Sequence, residues 1–574
     1  MRETLEPAAT PTPEMPDVNA LPAAPTTLPD DLRARLMQAL ADTPATPGSA
    51  AREVMLPLAA LEVKTLVAAL RDRDDLHFAD LFAEVDPTPD APNAAARLRL
   101  HLVMAIERER LWLHAYAPLD ANSPHLESLV NILPAADWYE RELWDEAGIV
   151  SVDHPGLRRL RLPARWPGDA RPLLGGLGNR LLEAETQGGE EEADAHIPLL
   201  GSDDERELLD PGPEGVVDYP LGPVRSGVVE SGHYTLRTVG EEIVDFRLQL
   251  FYKHRGVEQR ALGLTPLHLP LVAERISGTS GFAHALAVCE ALERAAGVSA
   301  PPRARFLRTL FAELERLYNH FGYQADLCQA TGLVVGQAQY DILKERVLRL
   351  NAQITGHRYL FGACVYGGVA CDPAPTALAE IGKLVNTLRS KARRLGKMIL
   401  ESPSHVDRLE NTGILPPDDA RAWAVVGPNG RASGANRDVR RDHPYAAYGE
   451  VAFEVPVFTT GDALARARVR LEEIVQSIRI TEQVLEQLPT GPIRVGGLAA
   501  PTDAAALGWV ESPRGEGLHW LRLDTTGAVA RYRVRTASFA NAQAFPLCIP
   551  GRNILTDFPV IEQSWALSYA GADR

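Results

Sequence analysis

The amino-acid sequence predicts an α+β protein built from two units. Three observations point there. Residues 51–182 contain strand-like alternation of apolar and polar side chains. Residues 218–574 contain long stripes of apolar residues at helical spacing. Between the two, residues 183–214 carry twelve acidic side chains against one basic, Arg206. The expected architecture is a small α+β domain, an acidic linker over 183–217, and a larger domain with a central helical bundle and peripheral β-strands.

In chain order, residues 1–50 are rich in Pro, Ala and Thr, and Pro7, Pro11, Pro13, Pro16, Pro22, Pro25 and Pro29 interrupt any long helix. They read as a mostly disordered leader with one short helix near Asp30–Ala41. From Glu53 the composition turns globular. VMLPLAALEVKTLVAALRD reads as a strand or loop followed by a helix, and RLRLHLVMAIERERLWLHAYAPL as strands. The linker, with Gly188, Gly189, Pro211 and Pro213, is too poor in apolar side chains to offset its chain entropy.

In the larger unit, YTLRTVGEEIVDFRLQL alternates as a hairpin with Gly240 and Glu241 near the turn. Phe306, Leu310, Leu314, Leu317 and Phe321 then recur at spacings of three and four, as do Leu378, Ile381, Leu384, Val385 and Leu388. RARVRLEEIVQSIRITEQVLEQL is a third such stretch, and the three should pack as a bundle. LHWLRLDTTGAVARYRVRTASF returns to strand-like alternation.

Composition excludes several functions. The formal net charge of −17 over 574 residues argues against a nucleic-acid partner, which calls for a basic face. No run of about 18 apolar residues is present, so no segment is expected to span a membrane, and the first residues lack the basic and apolar regions of a secretory signal. The five cysteines, Cys289, Cys328, Cys364, Cys371 and Cys548, include no CxxC pair. That spacing disfavours a disulfide framework or a thiolate-rich metal site and suits a reducing compartment. Pieces such as GPNGRASG lack a strand–turn–helix setting, so they do not read as a dinucleotide site.

Two segments carry a family resemblance. Trp138 to Pro163, WYERELWDEAGIVSVDHPGLRRLRLP, resembles the signature of the 30-kDa subunit of respiratory complex I. Read from its residues alone, it is an amphipathic helix stopped at Gly148 and followed by a basic turn at Arg158–Arg159. From about Gly222 onward the chain resembles the 49-kDa subunit of complex I. It looks closer still to the large subunit of membrane-bound [NiFe]-hydrogenases of the formate-hydrogenlyase type. The carriers are YKHRGVEQR, ERISGTSGFAHALAVCEALE, VGPNGRASG, DVRRDHPYAAY, ESPRGEG and the terminal SYAGADR.

The resemblance implies four metal-binding cysteines at positions occupied here by Ser277, Ser280, Ser568 and Gly571. A [NiFe] centre requires soft thiolate donors. Three hydroxyls and a glycine do not supply them, so no metal is expected in this chain. A cavity lined by Ser277, Ser280 and Ser568 is the substrate site this leaves. The resemblance gives Glu258 a proton-relay role, with an ion pair to Arg255 or Arg260 as the alternative. It puts Arg514 beside the lost centre, paired with a carboxylate or facing a cavity. His284 matches the motif histidine, although a lone histidine on a helix is more often a satisfied core residue. In the complex I loop that holds a quinone head group, Arg225 stands where a histidine is expected, and His233 is offset from the family spacing.

The implied function is that of a peripheral-arm subunit of a membrane-bound, complex I-like or hydrogenase-like oxidoreductase that lacks the [NiFe] centre and couples electron transfer to ion translocation. Implied partners are an iron–sulfur small subunit with a [4Fe–4S] cluster, ferredoxin-like subunits and antiporter-like membrane subunits. The implied location is the cytoplasmic face of the inner membrane. Two alternatives stay open: an NAD(P)H/quinone-type subunit that reduces quinone with altered contacts, and a structural coupling subunit with no redox step.

Overall fold

A computed structural model describes residues 29–42, 52–71, 73–86, 97–120, 122–162, 166, 171–174, 215–225 and 230–574. Most of the leader and the acidic stretch 183–214 lie outside the described residues.

The small domain is a four-stranded sheet in the order β1-β4-β3-β2, from β1 (Arg52–Pro57), β2 (Leu76–Asp86), β3 (Arg97–Ile106) and β4 (Leu111–Leu119). β1 runs parallel to β4, and the other pairs are antiparallel. Alternation along β3 sends Leu98, Leu100, Leu102, Met104 and Ile106 into a cluster that the small domain shares with large-domain residues such as Phe539 and Phe545. Val103 and Ala105 point the other way, into a second cluster formed with the central helices of the large domain. Both faces of the sheet are therefore buried.

Helix Asp30–Asp42, expected as a short piece of the leader, buries Leu32 and Leu36 in the same cluster as the β3 leucines, and Arg35 donates to Pro57 O at 3.0 Å. Helix Asp137–Ala147 ends at Gly148, where φ is +73° and the Gly148 N–H donates to Trp144 O at 3.1 Å. A residue without a Cβ adopts this left-handed stop at no steric cost. The basic turn beyond it folds back, with Arg159 pairing with Asp145 at 3.1 Å.

Two short strands, β5 (His125–Glu127) and β6 (Val150–Val152), pair in parallel beside that helix. The large domain opens with an antiparallel meander, β7 (Val216–Leu221), β8 (His233–Val239) and β9 (Glu242–Gln249), turning at Gly240 as the sequence predicts. Helices Gly281–Ala295, Pro302–Ala330, Val334–Thr355, Pro375–Leu400 and Ala463–Gln487 make the central bundle. Pro302–Ala330 starts with proline in its first turn, where the missing N–H costs no helical bond. Its predicted stripe, Phe306 to Phe321, is buried. So are Arg308, Glu313, Glu315 and Arg316 on its other faces, which makes it the central helix.

After the small hairpin of β10 (Cys364–Val365) and β11 (Gly368–Val369), a last sheet runs β12 (Ala505–Ser512), β13 (Gly515–Leu523) and β14 (Val529–Arg535). At Gly508 a Cβ would lie 2.0 Å from Ala287 O, so only glycine lets β12 approach helix Gly281–Ala295 this closely.

The two domains meet sheet to sheet. Phe82 lies 5.2 Å from Trp520 and Trp112 lies 5.6 Å from Trp509, ring centre to ring centre. Buried ion pairs cross the same junction: Arg533 reaches Asp80 at 2.9 Å and Glu142 at 2.8 Å. Among the described residues no helix is long and apolar enough to cross a membrane.

Candidate functional site

The segments ERISGTSGF and SYAGADR are almost 300 residues apart in sequence, yet they meet. Ser277 precedes the turn Gly278–Ser280 that leads into helix Gly281–Ala295. Ser568 caps the short helix Tyr569–Asp573, its Oγ accepting from the Gly571 N–H at 3.1 Å. The two serine Oγ atoms are 3.1 Å apart. A Cβ at Gly571 would lie 3.3 Å from Ser568 Oγ and 3.6 Å from the Ser277 Cβ. Ser280 sits at the end of the turn, its N–H donating to Ser277 O at 3.0 Å. The four positions thus form one buried knot.

Glu230, which sequence reasoning missed, closes this knot. Its carboxylate accepts from Ser568 Oγ at 3.1 Å and from the Ala570 N–H at 2.5 Å. Its sequence signal was faint: it is the acidic residue in an otherwise apolar and small-residue loop, SGVVESGHY. Arg255 ties the two segments together, donating to Ile276 O and Ala570 O at 2.7 Å each.

Arg514 binds the other side. Its Nη1 donates to Ser280 Oγ at 2.9 Å and Thr279 Oγ1 at 3.0 Å, and its Nε to Ala566 O at 2.9 Å. Hydroxyl and carbonyl oxygens, rather than a carboxylate, are its hydrogen-bond partners. Burial lowers the guanidinium's pKa, with the charge of Glu230 opposing that shift. Arg514 faces a cavity of about 180 Å³ that also touches Thr279, Tyr318, Tyr323, Asp326 and Leu567. Ser277, Ser280 and Ser568 are its neighbours, not its walls: their hydroxyls are spent on one another, Glu230 and Arg514. Deep beside it, burial pushes the Glu315 carboxyl up to about 8 even though the Phe282 and Ala283 N–H groups donate to it.

The donor set is hydroxyl, carboxylate and guanidinium. It offers hard oxygen ligands and a cation and no thiolate, so it does not fit a nickel–iron centre. Among the described residues, no three His, Cys, Asp or Glu side chains are arranged to hold a metal ion.

Residues 57–174 match the family model of the respiratory-chain NADH dehydrogenase 30 Kd subunit, and residues 337–504 and 495–574 that of the 49 Kd subunit. Formate hydrogenlyase subunit 5 of Escherichia coli (strain K12) is 32% identical over 83% of this chain and 82% of its own length. The chain belongs to the fused complex I 30-kDa/49-kDa-type subunit family, formate hydrogenlyase relatives included. Another relative is the fused C/D protein of the NADH-quinone oxidoreductase of Gluconacetobacter diazotrophicus, 28% identical over 84% of this chain and 85% of that protein. Among solved structures, the membrane-bound sulfane sulfur reductase, an archaeal respiratory membrane complex, has a chain that superposes with a TM-score of 0.60 at 27% identity. The match covers 63% of this chain and 99% of that one.

The remaining family positions are occupied as follows. Glu258 meets neither Arg255 nor Arg260 but accepts from Arg531 Nη1, Arg574 Nη1 and the Val534 N–H at 3.0 to 3.1 Å. Burial favours its neutral form, but Arg574, Arg533 and Arg531 outweigh that and hold its pKa below the ordinary value. Glu258 is thereby a member of a buried ion-pair network with Arg531, Arg533 and Arg574. His284 is buried, its Nδ1 3.0 Å from His519 Nε2, and His519 Nδ1 is 2.7 Å from the Tyr532 hydroxyl. Burial lowers His284 to about 3, so it is a neutral member of that chain.

Arg225 pairs with both Glu562 oxygens at 2.7 and 3.0 Å and stacks over Tyr234. His233 Nδ1 lies 3.1 Å from Gly222 O and its Nε2 3.4 Å from Thr235 Oγ1. The Arg225 Nη atoms and both His233 nitrogens are held by their own surroundings, the buried Arg225 Nε has no hydrogen-bond partner, and neither residue touches the cavity beside Arg514.

Proposed function

We propose that this chain is the large peripheral subunit of a membrane-bound, complex I-like respiratory assembly in which the [NiFe] site has become a closed hydroxyl–carboxylate knot. It turns over no hydrogen. It caps an iron–sulfur small subunit bearing a [4Fe–4S] cluster, within an assembly that includes ferredoxin-like and antiporter-like membrane subunits, on the cytoplasmic face of the membrane. It couples electron transfer in those partners to ion translocation. One observation carries this reading: Ser277, Ser280, Ser568 and Gly571 still converge, and the Glu230 carboxylate binds there, held by a serine hydroxyl and a backbone N–H with no thiolate.

The knot favours a coupling role over quinone reduction, because Arg225 is held by Glu562 and His233 by Gly222 O, and neither lines the cavity. The decisive experiment is metal analysis of the complex purified with this chain. Iron and sulfide in cluster amounts, with nickel far below one atom per chain, is the expected result. Stoichiometric nickel would overturn the reading.

A further inference from the structure

At the domain junction a line of four side chains crosses the small-domain sheet from edge to edge. Strand order β1-β4-β3-β2 places Glu53, His114, His101 and Glu84 on successive strands. Glu53 Oε1 lies 2.7 Å from His114 Nδ1, His114 Nε2 lies 2.9 Å from His101 Nδ1, and His101 Nε2 lies 3.2 Å from Glu84 Oε2. Both imidazoles and Glu84 are buried. Each end is anchored to the large domain: Glu53 Oε2 accepts from the Leu507 N–H at 3.1 Å, and Glu84 accepts from Arg522 Nη2 at 3.0 Å.

The proton count of this line follows from its geometry. Three contacts need three hydrogens, and carboxylates can only accept. Two neutral imidazoles bring two hydrogens. With both glutamates ionised, at least one contact would be left with facing lone pairs in every tautomer arrangement.

We infer that Glu53, His114, His101 and Glu84 form a buried proton-binding site, which holds one proton beyond those of two neutral histidines. The distances show where it lies. The 2.7 Å contact to Glu53 is in the range of a charge-assisted bond, and the 3.2 Å contact to Glu84 in that of a neutral donor. Burial holds His101 down to about 4, and the shorter contact stands at the Glu53–His114 end of the line. Burial favours the neutral form of both carboxyls, but hydrogen bonds bring Glu53 below its ordinary value through His114, and Glu84 to about 2 through His101 and Arg522.

The charged groups around the line are Arg99 at 3.5 Å and Arg522 on Glu84, with Arg294, itself paired to Glu290, facing Glu53. A cavity of about 420 Å³, lined by Glu53, Arg99, His101, Tyr116, Trp520 and Arg522, gives the line access to water. The proton enters and leaves as a single hydron exchanged with that water, with no other bond made or broken.

The test is histidine-selective ¹⁵N NMR of the full chain at pH 7, with the two rings assigned by His101→Asn and His114→Asn. The expected spectrum has one of the two rings protonated at both nitrogens. In Glu53→Gln, the amide donates to His114, three hydrogens are supplied without an imidazolium, and that signal is lost. Glu84→Gln gives the same count from the other end and serves if the first variant does not fold. Two neutral rings in the wild-type chain, or an imidazolium that survives in a folded Gln variant, would overturn the assignment.

Discussion

Arg533 offers a direct measure of how the domains are held together. Its Nη2 and Nε reach Asp80 at 2.9 and 3.2 Å, and its Nη1 reaches Glu142 at 2.8 Å. All three side chains are buried. Substitution by methionine keeps the length and removes the cation. Glu142 keeps Arg161 at 2.6 Å and Arg574, but Asp80 is left with the Leu81 N–H at 2.9 Å as its described hydrogen bond. An ion stranded in this way costs about 3–5 kcal/mol, whereas removing both charges of a buried pair is often near neutral. Arg533→Met should therefore destabilise the junction by about 4 kcal/mol, about a thousandfold in its opening equilibrium. Asp80→Asn in the same chain should restore at least about 2 kcal/mol of that. Guanidinium unfolding followed by tryptophan fluorescence reads it, because Trp112 and Trp520 lie at the interface. If the double variant loses the simple sum of the single losses, Asp80 is not the stranded charge and the reasoning fails.

Three further outcomes follow from single residues. Burial raises Glu140 to about 7 from an ordinary 4.5, so between those values the folded state holds a proton the unfolded chain has released, and stability falls as pH rises. Glu140→Gln should flatten that fall by about 3 kcal/mol in denaturant titrations from pH 4.5 to 7.5, and an unchanged slope would disprove the assignment. Gly508→Ala puts a methyl on the Ala287 carbonyl, so β12 must move off its helix, and the variant should show faster amide exchange there and a lower yield of folded chain. Arg514→Met strips donors from Ala566 O, Thr279 and Ser280 and should cost about 2–4 kcal/mol, with Arg514→Lys recovering part of it in thermal unfolding.

Periodicity carried much of the fold. The Gly240 turn, the stripes of helices Pro302–Ala330 and Pro375–Leu400, and the strands of the tail stand where their spacing puts them. Helix Val334–Thr355 was missed because its inward positions include Gly336, Tyr340 and Asn351, which break the apolar stripe. The convergence of Ser277 with Ser568 was legible only through resemblance, since no local signal joins segments so far apart. Glu230 and the Glu53–His114–His101–Glu84 line were illegible for a related reason. Each charged residue looks like ordinary strand or loop surface until a second domain covers it. Glu258 shows the same limit: its motif is local, while its partners Arg531 and Arg574 arrive from β14 and beyond.

The shared core changes what the acidic segment means for assembly. Ala79, Phe82, Val103, Ala105 and Trp112 of the small domain pack in one cluster with residues of the central bundle. Contact of this kind, reinforced by the Arg533 clasp, fixes orientation without help from the peptide connection. A covalent link between two units that bind in this way adds to their effective concentration. A chain cut within residues 183–214 and produced as two polypeptides should therefore associate as a heterodimer. Fusion sets the stoichiometry of the two halves at one to one, while the interface alone determines their geometry.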